Sequence, residues 1–189
     1  SNCGSGDLSG YAGPFAFITS YCIPAPTSVD GTGITRVVYS TVDNPTGAEA
    51  GHYGNYSSMV GDAQQLTTLN VAITYATGYT YDTKIWVDWN DDLDFDDAGE
   101  EVYVGTSLAA NPTTLNASFP IGTNPMGQHR MRIGGADIGP ITPCYTGTYA
   151  CLEDYTLNVT AAPACPPASM LSATNVTAVG ANLGWTEGG

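Results

Sequence analysis

The sequence predicts an all-β fold, an antiparallel β-sandwich or jelly-roll-like domain with very little helix. Apolar and polar residues alternate in short runs, and Gly, Pro, Asn or Asp separates one run from the next. No window of about twelve residues combines a helical apolar face with capping residues. Many short strands of this kind are typical of two sheets that each bury one face.

The runs that we expect to form strands differ in length but share the period of two. In the run 82–89, Ile85 and Val87 take one face, whereas Trp86 and Asp88 take the other. This strand therefore delivers Asp88 to its end on the same face as Trp86. The predicted strands are 34–42, 66–76, 82–89, 100–106, 114–121, 129–135 and 154–161.

The composition excludes two classes of partner. The 189 residues carry 4 Lys+Arg and 18 Asp+Glu, a net charge of -14, which repels phosphate backbones and anionic lipid. We therefore expect no nucleic-acid binding, and the lack of a run of about eighteen apolar residues predicts no membrane insertion. Charged residues make up only 12% of the chain, while Gly, Thr, Tyr, Asn and Ser are abundant. That mixture is typical of secreted β-rich proteins.

Proline and glycine divide the chain. We expect a lead-in segment at 1–20, a sandwich at 21–161 and a Pro-rich linker at 162–168, because proline cannot continue a sheet ladder. Residues 169–189 resemble the first strands of a fibronectin type III-like domain, with Leu183 and Trp185 in the places of its alternating Leu-x-Trp. Two strands cannot cover such a tryptophan on both sides. The tail is therefore expected either to continue into a longer chain or to complete a sheet on another molecule.

The stretch "DWNDDLDFDDAGEE" at 88–101 holds eight of the eighteen carboxylates. Oxygen side chains recur at alternate positions from Asp88, as in the first half of a calcium loop, and calcium prefers six to eight oxygen ligands. We therefore expect a structural Ca²⁺ there. Its predicted ligands are Asp88, Asn90, Asp92, Asp94, Asp96 and Glu100.

The match to a calcium loop has two defects. Leu93 occupies the place where an EF-hand requires Gly, and Glu100 comes one position later than the closing ligand. The first alternative is a solvated acidic turn. The second is a catalytic carboxylate pair, which needs two separated groups of unlike pKa and is therefore hard to build in one polar loop.

Six short motifs, taken in order, resemble those of the GEVED domain, a β-rich module of secreted bacterial proteins. They lie at 21–22, 34–44, 53–57, 85–101, 129–133 and 151–159. The signature that names the family is altered here, since residues 150–155 read "ACLEDY" where the family has Gly-Glu-Val-Glu-Asp-Tyr. The resemblance implies a secreted or cell-surface protein of bacteria, and a non-catalytic accessory or adhesive module beside other domains.

Arg130 and Arg132 share one face of a predicted strand. Because buried arginines need carboxylate partners, we expect them to form a structural clasp with Glu153 and Asp154; an anion-binding site is the alternative.

Five cysteines lie near the two ends of the chain. We favour disulfides between Cys144 and Cys151, which flank a short turn, and between Cys3 and Cys22. The alternative is a bridge from Cys22 to Cys144.

Four tyrosines near loop ends are candidates for a sugar-stacking platform: Tyr53, Tyr56, Tyr79 and Tyr81. Core packing is the alternative for each of them.

The sequence thus predicts a non-catalytic, calcium-stabilised extracellular module for adhesion or ligand binding, with a polysaccharide or cell-surface glycan as a possible ligand. One alternative is a structural subunit of an extracellular assembly or filament, joined to neighbouring subunits through its C-terminal strands. Another is an accessory domain of a secreted hydrolase.

Overall fold

The computed structural model describes residues 19–162 and 169–186. Within these ranges the chain forms eleven strands and one 3₁₀ turn at Ala50–His52, with no α-helix. No helix in the described ranges is long and apolar enough to cross a membrane. The strands are β1 (Ile34–Tyr39), β2 (Val42–Pro45), β3 (Tyr53–Gln64), β4 (Thr68–Tyr75), β5 (Asp82–Val87), β6 (Glu101–Thr106), β7 (Thr113–Pro120), β8 (Gly127–Ala136), β9 (Ala150–Thr160), β10 (Ser169–Thr177) and β11 (Gly180–Thr186).

Nine of these strands form two sheets. The first sheet has the order β2-β1-β4-β7, and the second has the order β3-β9-β8-β5-β6. Neighbouring strands are antiparallel except β3 and β9, which run parallel. The predicted all-β sandwich with very little helix is confirmed, and the parallel pair makes the larger sheet mixed rather than purely antiparallel.

The main core lies between the two sheets. Alternate residues of each strand point into it, for example Val37 and Tyr39 of β1 facing Tyr155 and Leu157 of β9. The period-two pattern therefore predicted the burial, because successive side chains of a strand point to opposite faces.

A second apolar cluster covers the outer face of the five-stranded sheet. It contains Trp86 of β5 and Leu152 of β9, together with Phe95 and Ile141 from the loops after β5 and β8. Both faces of β8 and β9 are consequently buried, and every residue of β9 from Ala150 to Leu157 is buried. Loops, not a third sheet, cover this face, and they carry the groups described below.

The sequence did not predict β3, which is twelve residues long. Its sequence lacks a clear alternation, and its register with β9 shifts between Asn55 and Val60. Gly61 explains one gap in the alternation, because a Cβ there would lie 2.4 Å from the ring of Tyr39. Packing against a tyrosine from the other sheet selects glycine, and local alternation cannot reveal that contact.

The predicted run 34–42 is two strands rather than one. Ser40 has a φ of 48°, so the chain reverses there and β2 pairs back along β1. The turn contains no Gly, Pro, Asn or Asp, the strongest turn residues, and its Ser40 is a weaker turn signal.

The disulfide joins Cys22 to Cys144, whose Cα atoms are 5.7 Å apart. The predicted pairs Cys144–Cys151 and Cys3–Cys22 are therefore wrong, and the alternative pairing forms. Cys151 points from β9 into the core between the sheets, where it is a buried free thiol. Cys144 is exposed in the loop that covers the opposite face of the sheet. A strand cannot turn Cys151 toward that loop without reversing its register. Cys3 itself lies outside the described residues, as does Cys165.

Among the described residues, strands β10 and β11 pair with each other and with no other strand. Leu183 and Trp185 lie on β11 and are largely exposed, in keeping with the expectation that two strands cannot cover them. The fibronectin type III-like identity of this hairpin stays a prediction, and most of the expected linker 162–168 and the lead-in 1–20 lie outside the described residues.

We expect Gly61→Ala to destabilise the sandwich by about 1–3 kcal/mol, because the new methyl group would overlap the ring of Tyr39. Urea unfolding followed by tryptophan fluorescence measures the change. Gly47→Ala is the matched control, since no atom lies within 4 Å of the position of its Cβ. Equal stability of the two variants would show that Tyr39 moves aside without cost.

Candidate functional site

A buried ion pair lies on the outer face of the five-stranded sheet. The antiparallel register of β8 and β9 sets Arg132 directly opposite Asp154, and both side chains are fully buried. The guanidinium binds the carboxylate through two bonds, from Nε to Oδ1 at 2.6 Å and from Nη2 to Oδ2 at 2.8 Å. This bidentate geometry is the strongest pairing that arginine makes with a carboxylate.

Two further donors reach Asp154. Arg130 donates from Nη1 at 3.1 Å, and the hydroxyl of Tyr53 donates at 2.9 Å, both to Oδ2. Burial raises the pKa of Tyr53 to about 12, so its hydroxyl keeps its proton at neutral pH. The carboxylate of Asp154 is thus surrounded by donors, as a buried charge requires.

The remaining donors of Arg132 hold two loops in place. Nη1 donates to the carbonyl of Pro143 at 2.8 Å, and Nη2 donates to the carbonyl of Cys22 at 3.0 Å. The same guanidinium lies over the ring of Phe95, 5.0 Å from its centroid. Arg132 therefore ties the N-terminal segment, the loop after β8 and the acidic loop to the centre of the sheet.

Glu153 does not join this group, although it was expected to. Neighbouring residues of a strand point to opposite faces, so Glu153 enters the core between the sheets while Asp154 faces the arginines. Glu153 accepts hydrogen bonds from Thr46 and Tyr155 instead. Three of the four residues predicted to form the clasp are therefore in contact, namely Arg130, Arg132 and Asp154.

Asp88 organises the first half of the acidic loop. It is fully buried, and its Oδ1 accepts the N–H groups of Asp91 and Asp92 at 2.7 and 3.3 Å. Its Oδ2 accepts the N–H of Leu93 at 3.0 Å and the hydroxyl of Tyr21 at 2.7 Å. A carboxylate offers about four lone-pair sites, so these four donors use the full capacity of Asp88.

Leu93 adopts the backbone conformation that favours glycine. Its φ is 77°, in the left-handed region, and its N–H points at Asp88. The loop therefore has the turn that a glycine at this position would make, despite the different residue.

Glu100 closes the other end of the loop. It is 2% exposed and accepts the N–H groups of Trp89 at 3.1 Å and Asp97 at 3.2 Å. Burial raises its pKa to about 7. Trp89 also donates from its ring nitrogen to the carbonyl of Gly99, so both ends of the loop are fixed by hydrogen bonds to its own backbone.

Five of the remaining polar side chains of the loop fall into two groups. The amide nitrogen of Asn90 lies between two carboxylates, 3.1 Å from Oδ2 of Asp92 and 2.6 Å from Oδ2 of Asp97. Asp94 and Asp96 line a different groove, beside Tyr21 and the disulfide.

The structure therefore does not gather the six predicted ligands around one point. Across residues 19–162 and 169–186, no three His, Cys, Asp or Glu side chains are placed together so as to hold a metal ion. The calcium site stays a prediction. Its most compact candidate is the group of Asn90, Asp92 and Asp97.

Several residues of this region have no signal in the sequence. Tyr21 and Tyr53 supply hydroxyl donors to buried carboxylates from segments that the sequence does not connect with them. The ring of His129 is buried between Asp91, at 3.1 Å from Nδ1, and the carbonyl of Pro125, at 2.9 Å from Nε2. The contacts of Tyr21 with Asp88, Tyr53 with Asp154 and His129 with Asp91 join residues far apart in the chain, so only the fold reveals them.

The four tyrosines proposed as a sugar platform have different surroundings. Tyr81 is fully buried and donates to Asp30, so it cannot stack on a ligand. Tyr53 and Tyr56 are partly buried and donate to Asp154 and Glu49. Tyr79 is the one member that is more than half exposed. Internal hydrogen bonds thus occupy three members of the predicted platform.

Residues 82–158 match the family model of the GEVED domain. The matched segment runs from the start of β5 almost to the end of β9 and includes the acidic loop, both arginines and Asp154. The predicted resemblance is confirmed for this segment. No curated protein matches the chain.

We expect Arg132→Met to destabilise the protein by about 3–5 kcal/mol, because it leaves the charge of Asp154 buried without its principal partner. Chemical denaturation at pH 7 measures the loss. The control is Arg36→Met, which removes an ion pair whose two side chains are each about half exposed, and it should change stability little. A similar loss in both variants would show that burial adds nothing to the importance of the Arg132 pair.

Proposed function

We propose that the chain is a non-catalytic module of an extracellular protein, that its acidic loop binds calcium, and that it belongs to the kind of module that serves adhesion or ligand binding. The proposal rests on the two different roles that polar side chains have in the loop 88–100. Asp88 and Glu100 fold its two ends, while Asn90, Asp92 and Asp97 present oxygens on its exposed side.

The chemistry of the exposed group fits a hard cation. Asn90, Asp92 and Asp97 carry only oxygen acceptors and one amide donor, and the amide nitrogen of Asn90 already lies within hydrogen-bond distance of both carboxylates. A cation bound there would relieve the repulsion between the two carboxylates, and rotation of the amide would offer it a third oxygen. Backbone carbonyls and water complete many such sites.

A non-catalytic role is supported by the way buried polar groups are used. Arg132, Asp154 and Asp88 each have several partners inside the fold. Within the described residues, every buried side-chain nitrogen and oxygen has a hydrogen-bond partner. Groups whose capacity is used in this way stabilise the fold and are poorly placed to exchange protons with a substrate.

An extracellular location is supported by the disulfide between Cys22 and Cys144. Disulfides of this structural kind persist in oxidising compartments and are rare in the cytosol. The net charge of -14 and the low content of charged residues agree with a secreted bacterial module.

Millimolar calcium should stabilise protein that has first been treated with a chelator. Extracellular calcium modules have dissociation constants on the order of 10⁻⁴–10⁻³ M. With a constant of about 10⁻⁴ M, 10 mM calcium adds about 2.7 kcal/mol to the free energy of unfolding, which differential scanning calorimetry detects as a rise of several degrees in Tm.

The double variant Asp92→Asn/Asp97→Asn should lose this response. Asp82→Asn is the matched control, because it removes a carboxylate from the opposite end of β5 while keeping the oxygen that accepts from Thr106. A control that loses the response as well, or a wild type that does not respond to calcium, would refute the site.

A second candidate function is that of a structural subunit that associates through its C-terminal strands. The observation in its favour is the apolar surface of the β10–β11 hairpin, where Val179 is 98% exposed and Leu183 is 72% exposed. Exposed apolar surface of this density is characteristic of a contact with another protein surface. The other largely exposed apolar residues of the hairpin are Met170, Leu171, Val176 and Trp185.

If the hairpin drives assembly, the wild type should associate as its concentration rises, and Leu183→Ser/Trp185→Ser should remain monomeric. Sedimentation velocity measures both. Leu108→Ser is the control, because Leu108 is 73% exposed but lies in a loop of the sandwich. A wild type that stays monomeric at every concentration would count against this second function.

A further inference from the structure

Glu153 is an acidic side chain in the apolar core between the sheets. It is 1% exposed, and it lies on the inner face of β9. Its Oε1 is 3.0 Å from the hydroxyl of Thr46 on the segment after β2, and its Oε2 is 2.7 Å from the hydroxyl of Tyr155. The contact with Thr46 connects β9 with the segment that follows β2.

The number of hydroxyl hydrogens around Glu153 bears on whether its carboxyl is protonated. The hydroxyl of Thr46 has one hydrogen but lies near two acceptors, the carbonyl of Ile34 at 3.3 Å and Oε1 of Glu153 at 3.0 Å. Tyr155 accepts a hydrogen bond from Asn44 and gives its own hydrogen to Oε2. A proton on Oε1 would satisfy every group, since Glu153 could donate to Thr46 and Thr46 to the carbonyl of Ile34.

A second carboxyl lies beside the first. Glu49 accepts the hydroxyl of Tyr56, whose ring stacks on Tyr155 with the centroids 5.7 Å apart. Gly54 makes room for it, because a Cβ at this position would lie 2.1 Å from Oε1 of Glu49. Two carboxylates in one poorly solvated region repel each other, and this repulsion also favours a protonated Glu153.

No lysine or arginine is placed to compensate Glu153. The chain has four of them, and all four have acidic partners elsewhere: Arg36 with Asp43, Lys84 with Glu101, and both Arg130 and Arg132 with Asp154 on the opposite face of β9. The small cavity beside Glu153 is lined by Glu49, His52 and Cys151 among its titratable groups. The other titratable side chains near Glu153 are Tyr56, Tyr75 and Tyr155.

We propose that Glu153, with Glu49 beside it, forms a proton-binding site that holds the segment 46–52 closed across one edge of the sandwich. This segment joins β2 of the four-stranded sheet to β3 of the five-stranded sheet, so it spans the gap between the sheets. Loss of the proton leaves an uncompensated charge in the core and loosens this edge.

The direction of the pH dependence follows from the folded and unfolded states. Burial raises the pKa of Glu153 to about 7 and also raises that of Glu49, whereas an unfolded glutamate has its ordinary, lower value. At a pH between the unfolded and the folded pKa, the folded protein therefore binds more protons than the unfolded chain. The contribution of Glu153 is fully present below the unfolded pKa and is lost as pH rises through about 7.

Carbon-13 NMR of the glutamate side-chain carboxyls tests the proposal directly. The Glu153 signal should titrate near pH 7, and Glu49→Gln should lower its midpoint by removing the repelling neighbour. Amide hydrogen exchange at residues 46–52, corrected for the intrinsic effect of pH, should accelerate between pH 5 and 8 by up to about tenfold per pH unit.

Glu153→Gln should remove most of this acceleration, because the amide occupies the place of the neutral acid and cannot ionise, and only Glu49 is left to titrate. Glu101→Gln is the matched control, since it removes a surface carboxylate paired with Lys84, and it should behave as the wild type. A Glu153 carboxyl that is ionised at pH 5 would overturn the proposal, even if the glutamine variant failed to fold. An unchanged response to pH in a folded Glu153→Gln variant would overturn it as well.

Discussion

The bidentate pair between Arg132 and Asp154 is the interaction on which the surrounding structure depends. A buried pair of charges is tolerated only when nearly every donor and acceptor of both partners is satisfied. The register of two central strands supplies the pair itself, but the remaining donors of Arg132 need carbonyls from outside the sheet. The positions of the N-terminal segment and of the loop after β8 follow from this requirement.

The disulfide fits the same constraint. Cys22 supplies a carbonyl to Arg132, and Cys144 directly follows Pro143, which supplies another. The covalent bond therefore joins the two segments whose carbonyls the guanidinium needs. The bridge spans 122 residues of sequence, whereas spacing alone favoured the short turn between Cys144 and Cys151.

The acidic loop is attached to this centre at two points. Tyr21, next to the disulfide, donates to Asp88 at the start of the loop, and Phe95 in its middle lies under Arg132. Its backbone is thus fixed by buried contacts and by the N–H groups that Asp88 and Glu100 accept. Calcium, if it binds as proposed, adds to a loop whose path is already set and compensates the charges that remain exposed.

Alternation in the sequence predicted β1 and most of β4 to β9, because the period of two is itself the consequence of one buried face. It also predicted that Arg130 and Arg132 share a face and need an acidic partner. It could not predict β3, where packing against Tyr39 selects a glycine, nor Tyr21 and Tyr53, whose partners are distant in sequence. The prediction of one ligand set from the acidic run rests on spacing, which reports the order of side chains along a loop and not the direction in which each one points.

Glu153 and Asp154 show how strongly the pleat of a strand decides the chemistry of adjacent residues. Asp154 meets two arginines on one face of β9, whereas Glu153 enters the apolar core on the other. The chain has only four lysines and arginines, and each is already paired with a carboxylate. No lysine or arginine therefore compensates Glu153, whereas the proposed proton would do so without moving a strand. The difference between the two carboxyls follows from their positions on either side of one sheet.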